Sequence, residues 1–315
     1  MRWLGDRESG NVEDQRDESG GGGGGGGGFP IRVGGGIGGI VVVLVSLYFG
    51  IDPNMLLALL NGDQPPEQTQ TQTQTQPQTR PHDPGAAGGG SGSSRPPDAG
   101  HADSMRKFVS VVLADTEDVW RQVFTSMGKT YADPKLVLYS NSVPSACGLA
   151  SAASGPFYCP NDHKAYLDLA FFELMKTRLN SPGEFAEAYV IAHEIGHHVQ
   201  NQLGILQRAT AERARGNERQ SNAISVQIEL QADCLAGAWA YHADRTKHII
   251  EKGDVEAALN AASSVGDDHL QRQTRGTVMP DAFTHGSSAQ RVRWFKRGLE
   301  GGSIKACDTF TAEQL

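Results

Sequence analysis

The chain has 315 residues, a net charge of -8, 38% hydrophobic residues and 39 glycines. That length allows one large or two modest globular domains, but the first hundred residues are too poor in core-forming side chains to supply one, so a single folded domain is expected. The 28 Lys and Arg residues are scattered and form no basic stripe, which argues against nucleic acid as a partner.

Residues 1–28 read as a disordered Gly-rich leader, ending in the unbroken run Gly20 to Gly28. Residues 29–51 read as a transmembrane anchor. Val33 to Ile51 carries no charge, is flanked by Arg32 and Asp52, and spans about 28 Å as a helix. A cleaved signal peptide fits less well, because the segment starts late and lacks an A-x-A site. A soluble helix fits less well too, because Gly34, Gly35, Gly36, Gly38 and Gly39 would be costly in water. Arg2, Arg7, Arg16 and Arg32 precede the span and no Lys or Arg follows until Arg80. A single-pass protein is therefore expected, with a cytoplasmic N-terminus and a periplasmic or extracellular domain.

Residues 52–102 form a low-complexity linker, with "EQTQTQTQTQPQTRP" and "GAAGGGSGSSRPPDAG" unable to bury enough surface to order themselves. The globular part runs over residues 103–315. Residues 104–128 have helical spacing through Phe108, Val111, Val112, Val119, Trp120 and Phe124, with Gly128 as a stop. Lys135 to Ser140 and His163 to Phe172 read as strands, separated by a turn-rich segment. A helix is expected to open with Ser181 as N-cap and Pro182 at its first position, closing on Gly204. Further helices are expected through residues 221–244, 254–265 and 287–299.

The four cysteines include no C-x-x-C pair. Spacing favours Cys147 with Cys159, leaving Cys234 with Cys307, although three connectivities are open. An exported domain favours disulfides; the competing reading is four small buried hydrophobes.

"AYVIAHEIGHHVQNQLG" carries the chemistry. His193 and His197 lie four apart, on one helix face, so both can turn a ring nitrogen toward a metal ion about 2 Å away. Glu194 projects beside that point rather than onto it. This H-E-x-x-H pattern predicts a Zn²⁺-activated water that attacks a peptide carbonyl, with Glu194 as base. Gly196 weakens the helix unless something passes close by, and a strand or substrate is expected there. Surface histidines on an amphipathic helix are the bland alternative. His198 points about 100° away and reads as a partly exposed or supporting imidazole. A third ligand must come from elsewhere, and "IELQADCLAG" offers Glu229 and Asp233 on one helix face. Glu229 is assigned to the metal and Asp233 to the far N–H of a ligand histidine; the reverse assignment stays open.

"AHEIGHHVQNQLG", "ELQADCLAGAWA", "GPFYCPNDHKAYLDLAFF" and "HGSSAQRVRWFKRG" together resemble the bacterial neutral zinc metallopeptidase family, a zincin group with HExxH and ExxxD motifs. The resemblance covers about residues 105–307. It implies an α+β zincin-like domain, mostly helical with a small sheet, acting on a protein or peptide substrate. It also implies that His285 and Arg291 stabilise the tetrahedral intermediate, and that the "KAYLDL" strand is the sheet edge lining the cleft. Two rival functions are a catalytically silent zinc-bound binding or chaperone-like module of the envelope, and a purely structural zinc site.

Overall fold

A computed structural model describes residues 1–16, 99–151 and 155–315. The expected anchor, most of the expected linker and residues 17–28 of the expected leader lie outside the described residues. Among the described residues no helix is long and apolar enough to cross a membrane.

The α+β architecture is present. Helix α1 (Ala99–Ser126) buries Phe108, Val111, Val112, Val119, Trp120 and Phe124, the stripe its spacing predicts. Gly128 follows with φ 68°, a left-handed stop that suits glycine. The sheet has the order β1 (Val12–Asp14), β2 (Lys135–Tyr139), β6 (Lys164–Asp168), β5 (Phe157–Cys159), with β1, β2 and β6 parallel and β5 antiparallel to β6. In β2, Leu136 and Leu138 enter the main core while Val137 and Tyr139 enter a smaller cluster on the other face. Burial on both faces explains why the strand reads as a continuous apolar run.

Several expectations need correcting. The leader is not disordered throughout: residues 1–16 pack on the domain, with Trp3 buried and β1 paired to β2. An edge strand and an indole in the core supply the burial that the leader's polar composition conceals. The strand expected over residues 163–172 ends at Asp168, whose carboxylate accepts from the backbone N–H of Ala170 (2.9 Å) and helps start α2 (Ala170–Thr177). The turn-rich segment before it holds an antiparallel hairpin of β3 (Ser142–Ser145) and β4 (Gly148–Ser151). "KAYLDL" is no edge, because β6 is paired on both sides; the antiparallel edge is β5.

The motif helix α3 (Glu184–Gln202) starts two residues later than its punctuation suggests. Gly183, at φ 121°, is the N-cap, and the buried Ser181 instead donates to Leu179 O at 3.1 Å. Gly204, at φ 71°, turns the chain into α4 (Ile205–Arg213). Helix α5 (Glu218–Lys247) opens with a capping box between Asn217 and Gln220, and the remaining helices are α6 (Asp254–Ser264), α7 (Asp267–Arg275) and α8 (Ser288–Gly301).

Glycines set how closely α5 meets its neighbours. A Cβ on Gly237 would lie 2.1 Å from Phe295 O, and one on Gly298 would lie 1.9 Å from Cys234 O, so α5 and α8 cross almost backbone to backbone. At Gly196 a Cβ would lie 3.1 Å from Ala232 O. The close passage at that point is made by α5. The disulfides pair Cys147 with Cys159 and Cys234 with Cys307, the latter tying α5 to the C-terminal segment.

Candidate metal centre

Helix periodicity places His193 and His197 on the same face of α3, and the glycine contact at Gly196 brings α5 close enough for Glu229 to join them. Their donor atoms all lie within 4.8 Å of one another. Glu229 Oε2 is 3.2 Å from His193 Nε2, and Glu229 Oε1 is 3.6 Å from His197 Nε2. The two rings stand nearly perpendicular, at 87°. Asp233, the rival third ligand, is fully buried and points elsewhere.

Each of the two converging histidines is held from behind. His193 Nδ1 lies 2.9 Å from Asp233 Oδ1, and His197 Nδ1 lies 2.8 Å from Gln200 Oε1. Both acceptors take a hydrogen from Nδ1, which turns the two Nε2 atoms toward Glu229. Two imidazole nitrogens and a carboxylate converging in this way fit a divalent cation of the zinc kind. Burial disfavours a charged His193, but the bonds to Asp233 and Glu229 outweigh it and push its pKa up to about 10. Burial would also raise Glu229; the charge of His197 and the bond from His193 reverse this and hold its carboxyl well below the usual range.

Asp233 anchors a larger buried group. Besides His193 it accepts from Tyr189 Oη (2.5 Å) and from Arg291 in a bidentate pair, Nε to Oδ2 at 2.8 Å and Nη2 to Oδ1 at 2.9 Å. Burial alone would raise its carboxyl; Arg291 and then His193 hold it below the ordinary value. Arg291 is 4% exposed, and its guanidinium also meets Tyr189 Oη and Val265 O. Its guanidinium is thus engaged with the carboxylate behind His193; the resemblance implies an oxyanion role for it. The engagement follows from the α5–α8 crossing, which carries the start of α8 directly over Asp233.

Glu194 is half-buried beside the donors, and among the described residues none donates a hydrogen bond to its carboxylate. Burial raises its pKa, opposed by the charges of His193 and His197. His285 does come to the site: burial disfavours its charge, but Asp267 and the nearby Glu229 raise its pKa. Asp267 fixes this loop by accepting the backbone N–H groups of Thr284 (2.7 Å), His285 (2.6 Å) and Gly286 (3.0 Å), with His285 Nδ1 3.3 Å from its other oxygen. His198 stands apart from the converging donors. It is buried rather than partly exposed, with Nε2 2.7 Å from Ala132 O and Nδ1 3.0 Å from Tyr158 Oη, and burial lowers its pKa to about 4.

Sequence reasoning missed Gln200, Tyr189 and Asp267. Gln200 lies three positions after His197 and was within helical reach. Tyr189, four before His193, looked like core. Nothing local marks Asp267, which meets His285 only through the packing of α7 against α8.

An H-E-x-x-H helix joined by a glutamate from a second helix, with the first histidine backed by an aspartate, is the site plan of a zinc-peptidase class of protein. Residues 1–310 match the family described as "Putative neutral zinc metallopeptidase", and the chain belongs to that family. It is 45% identical over 311 residues to YpfJ of Escherichia coli (strain K12), covering 98% of this chain and 99% of the relative. It is 43% identical over 226 residues to Rv2575 of Mycobacterium tuberculosis (strain H37Rv), covering 68% of this chain and 74% of the relative. No solved structure matches the chain.

The tight passage at Gly196 carries a prediction. Gly196→Ala is expected to push α5 outward and weaken metal binding by at least about tenfold, the size seen when supports of metal ligands are disturbed. Competition with a chromogenic chelator measures this; unchanged affinity would remove the glycine contact from the construction of the site.

Proposed function

We propose that the protein is a zinc-dependent metallopeptidase of the cell envelope. The observation that carries the reading is the convergence of His193, His197 and Glu229, with Glu194 within reach of their charges. Zinc held by these three side chains would polarise both a water molecule and the scissile carbonyl. Glu194 is placed to take a proton from an attacking water and to pass it to the leaving amine. Asp233, itself held by Arg291 and Tyr189, keeps His193 in the tautomer that presents Nε2. His285, oriented by Asp267, supplies a hydrogen bond to the developing oxyanion. The edge strand β5 offers its backbone to an extended substrate. Two disulfides support an oxidising compartment, and the apolar stretch at residues 33–51 supports attachment to a membrane.

Full-length protein is expected to contain one zinc per chain and to cleave a denatured protein. A chelator should abolish cleavage and added zinc should restore it. Zinc binding together with capture of unfolded proteins, but no cleavage under any condition, would replace this reading with that of a silent binding module.

Metal uptake should also be coupled to protons. With the His193 pKa at about 10 in the metal-free site, the imidazole is protonated at neutral pH, so cation binding must displace that proton. Apparent affinity is expected to rise with pH up to that value, and calorimetry in buffers of different ionisation enthalpy should show proton release. Uptake without release at pH 7 would contradict the protonated state of His193.

A further inference from the structure

Residues 1–16 fold as part of the metal-bearing domain, although the apolar stretch at residues 33–51 separates them from it in sequence. The contacts are spread over distant elements. Trp3 packs edge-on against Phe108 of α1, with ring centroids 5.3 Å apart. The backbone N–H of Ser9 donates to Ser110 O (3.0 Å), and Ser110 Oγ donates back to Ser9 O (2.9 Å). Strand β1 completes the sheet: Leu136 N donates to Asn11 O at 3.0 Å and Gln15 N to Leu138 O at 2.8 Å. Glu13 pairs with Lys135 on β2 and Lys164 on β6, and the N–H of Arg2 reaches Ile249 O.

Glu117 shows that the segment belongs to the fold. This α1 side chain is 1% exposed, and its carboxylate accepts from Ser9 Oγ (2.5 Å), Asn11 Nδ2 (2.8 Å) and Arg7 Nη2 (3.0 Å). From the rest of the domain the approach is that of Arg121, at 3.7 Å. Without residues 1–16 the carboxylate would lose its donors inside the protein, which is strongly unfavourable. At the same time β2 would become a bare edge with unpaired backbone groups.

These contacts cannot form across a bilayer, yet one crossing by residues 33–51 would place residues 1–16 and 99–315 on opposite sides. We propose that the N-terminal segment and the metal-bearing domain occupy the same side of the membrane. Docking of residues 1–16 onto a second, identically oriented copy would require the same shared side. Two of the arginines that argued for a cytoplasmic N-terminus are paired within the fold: Arg7 with Glu117 and Asp118, and Arg16 with Asp14. This inference stands whether or not the site cleaves peptides.

The test uses the full-length chain in bacterial cells. Leu4→Cys and Met127→Cys place a thiol on the N-terminal segment and on the domain, at residues 79% and 43% exposed. Each is treated with a membrane-impermeant maleimide in intact spheroplasts and again after lysis. Equal labelling of both positions in intact spheroplasts is the expected result. Labelling of both only after lysis would uphold the shared side and move it to the cytoplasm. Labelling of Met127→Cys in intact spheroplasts with Leu4→Cys reacting only after lysis, or the reverse, overturns the proposal. Glu8→Cys, on the same segment with its side chain 46% exposed, repeats the measurement should Leu4→Cys fail to accumulate.

Discussion

Glu194→Gln is expected to keep one zinc per chain while peptide cleavage falls by about a hundred- to ten-thousand-fold, the range for removal of a general acid–base group. The substitution preserves the size of the side chain and changes no ligand, since the donors that converge are His193, His197 and Glu229. Glu194 also receives no hydrogen bond from the described residues, so the amide disturbs no network. Loss of metal should therefore not accompany loss of activity. Metal analysis beside single-turnover kinetics separates the two, and full activity in the zinc-loaded variant would exclude Glu194 as the base.

Arg291→Ala is expected to lower stability by about 3–5 kcal/mol, because it strips the buried Asp233 carboxylate of its bidentate partner. Asp233 is fully buried and Arg291 nearly so, and the remaining donors to that carboxylate are Tyr189 and His193. The same change should weaken zinc binding by about 10–100-fold, since His193 loses a firmly held acceptor behind its Nδ1. An oxyanion donor would behave differently, with kcat falling while zinc affinity stayed unchanged. Arg291→Lys should rescue little, as an ammonium cannot reproduce the paired bonds to Oδ1 and Oδ2. Denaturation midpoints with chelator competition decide between the two roles. Unchanged zinc affinity in a folded Arg291→Ala protein would return Arg291 to the cleft.

What the sequence by itself determined was the local chemistry. A helical period of 3.6 places His193 and His197 together and sets Glu194 and His198 apart from them, whatever the rest of the chain does. The same period puts Glu229 and Asp233 on one face of α5, and spacing favours, among three open connectivities, the cysteine pairing that is found. Tertiary structure decided everything that depends on which backbones approach. It selected Glu229 over Asp233, because contact at Gly196 fixes how α5 lies on α3. It brought Arg291 to Asp233 through the crossing at Gly237 and Gly298, and it brought Asp267 to His285. It also drew residues 1–16 into the sheet. That segment is too short and polar to show a core of its own, and its order comes from Trp3, β1 and the donors to Glu117, whose partners lie more than a hundred residues away. Periodicity describes one helix or strand at a time; the meeting of separate elements is set by packing that no local pattern records.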